Sequence, residues 1–271
     1  MPAYRLFSST EMEAKMKKSY SLSNDGLVTG EDTRLDHQAK VFWRKEQSVF
    51  QELTLGPREC LLDFGCGNGA FLSHAASLFN RTVGFDIHAK LLAKASERLP
   101  NTKFVNVSTA TLEGIVREVA SAKPSVVLLR FVVQHLNNAE WAILRSVATY
   151  CHANKIRLLI VDCDDNENSF EPPEPFVESA FNNWTSYTEN AGGDRRLNER
   201  IASEFENWGL PAPARKSVLM VFSGDNITDF ELILLRPLAS TNPKQKELGQ
   251  KFKEYLMNGG EITIPVFYHA I

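Results

Sequence analysis

Five short apolar runs between residues 60 and 162 constrain the fold more than any other feature of this chain. Segments whose apolar residues have helical spacing separate each run from the next. Strands that alternate with helices in this way form a parallel sheet covered by helices on both faces. Ligands of such sheets bind beyond the carboxyl ends of the strands, so the residues that follow each strand are the functional candidates. The predicted strands are 60–64, 82–85, 103–107, 125–129 and 156–162, and the predicted helices are 70–79, 89–98, 112–122 and 139–151.

The composition excludes several classes of protein. A length of 271 residues fits one large domain or two small ones, and 43% hydrophobic with 23% charged residues excludes disorder or coiled coil over the whole chain. A net charge of −3 argues against a nonspecific nucleic-acid binder. The apolar runs are far shorter than the ~18–20 residues of a membrane span, and residues 1–20 lack the apolar core of a secretory signal. The four cysteines have no zinc-site spacing. We therefore expect a soluble, cytoplasmic protein with reduced thiols and no metal.

The remainder of the chain adds segments at both ends of this core. We expect a helix over 37–53 before the first strand and a helix over 196–208 after the fifth. Further elements are predicted towards the C-terminus: strands 217–222 and 230–235 joined by a turn at 224–226, a helix over 243–257 and an extended tail over 262–268. The predicted divisions are an N-terminal helical arm (1–55), a main domain (56–238) with an insertion at about 166–204, and a C-terminal helix and tail (239–271).

A glycine-rich turn follows the first predicted strand and carries the strongest functional signal. The sequence from Leu61 reads LLDFGCGNG, and the helix beginning near Ala70 offers free N–H groups at its start. Asp86 lies 21 residues after Gly65, at the end of the second strand. An acid at this position can accept hydrogen bonds from both hydroxyls of a ribose. The turn therefore predicts a nucleoside-binding site.

Two nucleoside cofactors fit the turn. The spacing Gly65-x-Gly67-x-x-Ala70 is compatible with a dinucleotide fingerprint. However, the carboxylate of Asp63 at the strand end would repel a pyrophosphate. S-adenosylmethionine (SAM) carries an ammonium and a sulfonium and no phosphate, so the same carboxylate favours it. A tight turn without any ligand remains the structural alternative, and SAM is the cofactor that we predict.

The order and spacing of four segments resemble the class I SAM-dependent methyltransferase family, in particular its small-molecule members. The segments are LLDFGCGNG, VGFDI, SVVLLRFVVQHL and IRLLIVD, and the resemblance covers about 55–165. It implies a Rossmann-like α/β fold with a seven-stranded sheet, helices on both faces and an antiparallel last strand. Strands 217–222 and 230–235 would then be the sixth and seventh, and the insertion after strand five would cover the acceptor pocket.

The resemblance also implies a set of cofactor-binding residues. Asp86 would hold the ribose and Ile87 would pack on the adenine. Ser108, followed by Thr109, stands after the third strand where the family often has an acid that bonds the adenine amino group. Around the methionine end the resemblance places Asp63, Gly65, Cys66, Gly67, Asn68 and Gly69 of the turn, Tyr20, Arg34 and Gln38 of the N-terminal arm, and Arg130 and Phe131 after the fourth strand.

Methyl transfer is an in-line displacement, so the protein mainly has to position the acceptor and exclude water. A base is needed only if the acceptor loses a proton. His135, which titrates near neutral pH, is the predicted catalytic base, and ordinary packing is its alternative. Phe131 would lie near the sulfonium as a cation–π neighbour.

Two later segments have open interpretations. Asp162, Asp164 and Asp165 could bind a cationic substrate or a metal, or form a solvated acidic loop. Residues 166–190 could form an aromatic cover over the acceptor or ordinary core. The aromatic residues of this segment are Phe170, Phe176, Phe181, Trp184 and Tyr187.

The predicted function is therefore transfer of a methyl group from SAM to an oxygen or nitrogen of a small metabolite. We expect a monomer or homodimer that binds neither nucleic acid nor membrane. A methyltransferase acting on protein or RNA, a noncatalytic cofactor-binding relative and a dehydrogenase are the alternatives. The stretch Arg130-Phe131-Val132-Val133 lacks an Asn-Pro-Pro-Tyr-like motif, which disfavours methylation of nucleobases or glutamine.

Overall fold

A computed structural model describes residues 25–56, 58–235, 237–238 and 245–271 of the chain. Its centre is an eight-stranded sheet, in which seven strands are connected in the order β3-β2-β1-β4-β5-β8-β6. The eighth strand, β7, pairs with the edge of β8 opposite to β5. The first five strands are parallel, whereas β8 runs antiparallel to β5, β6 and β7. The strands are β1 (Cys60–Phe64), β2 (Arg81–Asp86), β3 (Lys103–Asn106), β4 (Val126–Arg130), β5 (Arg157–Cys163), β6 (Ser169–Glu171), β7 (Ala214–Phe222) and β8 (Glu261–Ala270).

Helices cover both faces of this sheet, as the sequence predicts. The long α1 precedes β1, α2 to α5 connect the parallel strands, α6 and α7 follow β6, and α8 and α9 lie between β7 and β8. In the described residues the helices are α1 (Asp25–Leu53), α2 (Ala70–Ala75), α3 (Ala89–Arg98), α4 (Leu112–Ala122), α5 (Trp141–Ala153), α6 (Pro175–Asn190), α7 (Leu197–Asn207), α8 (Ile227–Phe230, continued by a π-helical turn Glu231–Leu235) and α9 (Gln245–Met257). None of these helices is both long and apolar enough to cross a membrane.

Alternate side chains of the central strands supply two separate hydrophobic cores. Leu128 and Leu159 point into one core, together with Phe42 and Phe50 of α1. Their chain neighbours Leu129 and Ile160 point into the core on the opposite face. Successive side chains of a strand face opposite sides of the sheet, so a strand buried on both faces needs an unbroken apolar run. This confirms the prediction of a parallel sheet that is covered on both faces.

The prediction of a strand over 230–235 is wrong. Residues 227–230 are α-helical and residues 231–235 form a π-helical turn, while the turn at 224–226 starts this helix through a capping box of Ser223 and Asn226. Phe230, Ile233 and Leu234 are buried, and their spacing of three and four residues is the helical one. The spacing of the apolar residues in 230–235 is therefore that of a buried helix face and not that of a strand.

The antiparallel last strand of the sheet is instead the C-terminal tail. Residues 159–163 of β5 and 214–222 of β7 pair with β8 on its two sides. The predicted antiparallel last strand is thus confirmed, but it is formed by β8 and not by 230–235. The short β6 makes the observed total eight instead of seven. The proposed divisions into an arm, a main domain and a C-terminal segment stay a prediction.

Candidate functional site

The glycine turn after β1 has a backbone that other residues would strain. Gly65 has a φ of 84°, and a Cβ atom there would lie 2.3 Å from Cγ2 of Val132. The Gly65 and Cys66 N–H groups both donate to the carbonyl of Phe85, at 2.7 and 2.9 Å. The turn is therefore fixed against the end of β2 and leaves no room for a side chain at Gly65.

Asp86 ends β2 and bonds directly to the turn. Its Oδ2 accepts from the Gly67 N–H at 2.7 Å, and its Oδ1 accepts from the His88 N–H at 2.8 Å. Burial raises the pKa of this carboxyl, and the hydrogen bonds from His88 and Gly67 oppose that shift. An ionised carboxylate has about four lone-pair sites, so each oxygen can accept a further bond. Asp86 is thus oriented and still able to accept two hydroxyl groups.

Asn68 ties the turn to α1. Its Nδ2 donates to Asp36 Oδ1 at 2.8 Å and to Asp32 Oδ1 at 2.5 Å, while its Oδ1 accepts from the Ala70 N–H at 3.1 Å. Asp32 also pairs with Lys94 of α3 at 2.5 Å. These contacts hold the N-terminal part of α1 over the turn.

A cavity of about 570 Å³ opens at the carboxyl ends of β1, β2, β4 and β5. Its volume lies in the range of small-molecule and cofactor sites. The cavity brings together most of the predicted site residues that the structure describes. Those that line it are Arg34, Gln38, Asp63, Gly65, Cys66, Gly67, Asn68, Asp86, Ile87, Arg130, Phe131 and His135.

Three of the predicted residues do not line the cavity, and Tyr20 lies outside the described residues. Gly69 is the N-cap of α2, with a φ of 73°. Ser108 and Thr109 are exposed, and the Ser108 hydroxyl donates to Asn106 Oδ1 at 2.6 Å. Val107 lines the cavity near them. The adenine contact of Ser108 and Thr109 stays a prediction that this placement does not favour.

Asp63 is the acid of the turn motif. It is 2% exposed, and burial raises its pKa to about 7, although the nearby Arg130 guanidinium lowers it. Asp86 adds a further unfavourable negative charge. A cation placed in the cavity would relieve this repulsion and favour the ionised form of Asp63.

Arg130 ends β4 and forms a buried ion pair that the sequence analysis did not predict. Its Nη2 and Nε donate to Glu46 Oε2 of α1 at 3.0 and 3.3 Å. The guanidinium also lies 4.3 Å from the centre of the Phe131 ring. The sequence does hold a signal for this pair, because Glu46 falls at four-residue spacing between Phe42 and Phe50 and so lies on the apolar face of α1.

Phe131 is itself held in an unusual conformation. Its φ is 55°, which is rare for a residue other than glycine, and its N–H donates to the Val161 carbonyl at 2.7 Å. Such strained residues cluster at functional sites. This placement suits a residue whose ring has to face a bound ligand.

Arg34 and Gln38 lie four residues apart on α1, and both line the cavity. Arg34 donates from Nε and Nη2 to the two carboxylate oxygens of Glu31, at 2.7 and 2.5 Å. To bind the methionine carboxylate as predicted, Arg34 would therefore have to leave Glu31 or to bind both carboxylates. It remains a prediction.

His135 lies half-buried after β4, in a 3-10 turn. Burial lowers its pKa to about 4, and the positive charges of Arg195 and Arg34 lower it further, whereas Glu31 opposes them. The ring is therefore neutral at pH 7, with a nitrogen able to accept a proton.

Arg195 also lines the cavity, and the sequence analysis did not single it out as a site residue. Its Nε and Nη2 donate to Asp165 Oδ2 and Oδ1 at 2.6 and 2.8 Å, and its Nη1 donates to the side-chain oxygen of Gln134. The guanidinium stacks over the Trp184 ring at 3.7 Å. Only the fold reveals this cluster, because its members are far apart in the chain.

Of the interpretations of the acids after β5, the solvated acidic loop is wrong. Asp162 is 2% exposed and accepts from the Gln134 and Cys163 N–H groups, both at 3.1 Å. Asp164, 3% exposed, accepts from the Asn198 N–H at 2.8 Å. These acids anchor the chain segments around the cavity. Within the described ranges no group of three or more His, Cys, Asp or Glu side chains could hold a metal ion.

The segment after β5 divides between the core and the cavity. Trp184, Tyr187 and Thr188 of α6 line the cavity. In contrast, Phe170, Phe176 and Phe181 pack with the core below it. The π-helical turn after α8 adds Ile233 and Leu234 to the cavity wall, which the sequence analysis missed because it predicted a strand there.

Comparison with known proteins agrees with this architecture. Residues 62–154 match the family model of a methyltransferase domain. A search of curated proteins gave no match. The YcgJ protein of Bacillus subtilis is a similar solved structure, with 14% identity and a TM-score of 0.52 over 84% of this chain and 98% of that one. A SAM-dependent methyltransferase of Anabaena variabilis has 12% identity and a TM-score of 0.50 over 90% and 93%. At such identities the similarity concerns the fold.

Proposed function

We propose that this chain, whose residues 62–154 match the model of a methyltransferase domain, transfers the methyl group of SAM to an oxygen or nitrogen of a small molecule. The observation that carries the proposal is the hydrogen bond between the Asp86 carboxylate and the Gly67 N–H, at the edge of a cavity of about 570 Å³. This pairing orients an acid towards the position where a ribose would lie. The cytoplasmic location and the oligomeric state stay predictions.

The residues present fit SAM better than a phosphate-bearing nucleotide. Asp63 and Asp86 both line the cavity, and both have a pKa raised by burial. Two acids at this edge favour a ligand with positive charge and disfavour a pyrophosphate.

When bound, SAM supplies an electrophilic methyl group on a sulfonium. The chain would contribute position and surroundings: Asp86 would orient the ribose, and Asp63 would face the positive charges of the methionine end. The rings of Phe131 and Phe42, which pack edge to face at 5.8 Å, would exclude water from the transfer path. Positioning of two reactants by itself can supply up to ~7–11 kcal/mol of the barrier reduction.

Isothermal titration of the full chain tests the cofactor assignment. We expect SAM and S-adenosylhomocysteine (SAH) to bind at a ratio of one ligand to one chain, and NADH not to bind. Binding of NADH without binding of SAH would contradict the proposal and would favour the dehydrogenase alternative.

The pKa of Asp63 predicts that SAM binding depends on pH. A sulfonium near this carboxyl stabilises the ionised form, so binding releases a proton when the free protein holds Asp63 protonated. With a pKa of about 7, the ionised fraction rises about tenfold between pH 6 and pH 8. We expect the SAM affinity, measured by titration calorimetry at both values, to rise by about the same factor.

SAH serves as the control for this pH effect, because its sulfur is uncharged while its carboxylate and ammonium are those of SAM. The ratio of SAM to SAH affinity therefore isolates the sulfonium, and Asp63→Asn should make that ratio independent of pH. An unchanged pH profile in Asp63→Asn would assign the effect to another group.

His135 is proposed to accept the proton that a hydroxyl or amine acceptor loses. Its low pKa keeps the ring neutral at pH 7, but it also makes His135 a weak base. In an assay of SAH formation with a panel of phenols, amines and carboxylic acids, we expect His135→Ala to lower kcat about 100-fold for the best phenol or amine acceptor. The KM for SAM should stay the same. Full activity of His135→Ala would leave His135 with a packing role only.

A further inference from the structure

Two buried arginines line the cavity, and each is paired with a carboxylate that does not line it. Arg130 pairs with Glu46 at 3.0 Å, and Arg195 pairs with Asp165 at 2.6 Å. Both arginines belong to the cavity wall, whereas Glu46 and Asp165 lie behind them. Each ion pair therefore turns its positive end towards the cavity.

Arg195 is the more rigidly held of the two. Asp165 accepts from two of its nitrogens and Gln134 from the third, while Trp184 covers one face of the guanidinium. These bonds use three of the five N–H groups and leave one on each Nη. A planar guanidinium fixed in this way recognises a carboxylate or phosphate without losing much side-chain entropy.

The acids that line the cavity have other contacts. Asp63 is the last residue but one of β1 and Asp86 is the last residue of β2, and both stand at the glycine turn. Glu31 pairs with Arg34, and Glu140 accepts from the Asn137 N–H at 2.9 Å. The cavity thus has acids at its nucleoside end and a partly used cationic fork at the end formed by α6.

The cavity is also lined by apolar side chains. They include Phe42, Phe131, Ile233, Leu234 and Ile264. Burial of apolar ligand surface against such side chains contributes roughly 25 cal/mol per Å². The acceptor end therefore suits a ligand with an apolar body and one anionic group.

We propose that the methyl acceptor is a small acid, whose carboxylate or phosphate binds the remaining N–H groups of Arg195 while its apolar body contacts Trp184 and the wall of Phe131 and Ile233. This inference names the substrate class of the proposed methyl transfer and so rests on it. Arg195 would anchor the acceptor, and the atom that receives the methyl group would lie nearer to His135.

Binding of model acids to the wild-type chain tests the proposal without any substitution. With SAH held at saturation, titration calorimetry would compare 2-naphthoate and 2-naphthyl phosphate with the neutral 2-naphthamide. We expect at least one of the two anions to bind tenfold or more tightly than the amide. Equal affinity of acids and amide, or no binding of any of them, would overturn the proposal.

The same experiment shows whether Arg195 binds the anionic group of the acceptor or the methionine carboxylate of the cofactor. If Arg195 instead bound the cofactor, saturating SAH would prevent 2-naphthoate from binding. The affinity of SAH relative to 5′-methylthioadenosine, which lacks the amino-acid part, would also fall when Arg195 is replaced. We expect neither result, and either one would overturn the assignment.

A charge-balanced double variant tests the role of Arg195 itself. Arg195→Gln with Asp165→Asn removes both charges and retains the capacity for hydrogen bonds, and thermal unfolding would report whether the fold is kept. We expect 2-naphthoate to bind at least tenfold more weakly while SAH binding is unchanged. The exposed Arg215, outside the cavity, provides the control Arg215→Gln, which should not alter either affinity.

The proposed function and the proposed substrate class fail in different ways. Absence of SAH binding to the wild-type chain would reject the cofactor. SAH binding with no preference for the acids would reject only the role of Arg195.

Discussion

Replacing Asp86 by alanine is expected to weaken the binding of SAH about 100-fold, which corresponds to ~3 kcal/mol. The carboxylate would accept from both ribose hydroxyls, and hydrogen bonds to a charged group contribute about 1.5–3 kcal/mol each. Loss of Asp86 also leaves the Gly67 and His88 N–H groups without their present acceptor. Titration calorimetry with SAH would measure the change.

Two further variants sharpen this test. Asp86→Asn keeps the size of the side chain but loses the charge, so its effect should be intermediate. Asp225→Ala removes an exposed acid outside the cavity and should leave the affinity unchanged. If Asp86→Ala and Asp225→Ala bound SAH equally well, the ribose assignment would be wrong.

Among the single substitutions proposed, Arg130→Met should lower the free energy of unfolding most. The side chains of Arg130 and Glu46 are only 7% and 0% exposed, so the substitution leaves a buried carboxylate without its cation. Breaking a buried ion pair in this way costs about 3–5 kcal/mol. Urea denaturation, followed by circular dichroism, should show the free energy of unfolding fall by this amount.

A double-mutant cycle identifies the cause of the loss. Arg130→Met with Glu46→Leu removes both charges and fills the same space with apolar atoms, so most of the stability should return. For comparison, Lys103 and Glu118 form an exposed pair at 3.4 Å, and Lys103→Met should cost less than about 1 kcal/mol. A double variant as unstable as Arg130→Met would show that the arginine stabilises by packing and not by charge.

The sequence by itself determined the parallel sheet and the glycine turn with Asp86 at one end of the cavity. Helices 89–98 and 112–122 occur with the predicted bounds, and β1 occurs over 60–64 as predicted. These elements depend on local periodicity, and the glycine turn with Asp86 depends on a fixed spacing along one strand–helix–strand unit. Physical signals of this kind lie within about thirty residues and can be seen without the fold.

The tertiary structure decided the last strand and the Arg195 cluster of the cavity. The sequence could not show that 261–270 would insert between β5 and β7, because strand pairing over such separations leaves no local pattern. The Asp165–Arg195 and Glu46–Arg130 pairs join residues 30 and 84 positions apart, so although Glu46 falls on the apolar face of α1, the sequence does not show which cation pairs with which acid. Only in the folded chain is each of these ion pairs buried with its arginine towards the cavity. Desolvation and geometry are properties of the folded chain, so the sequence alone does not show them.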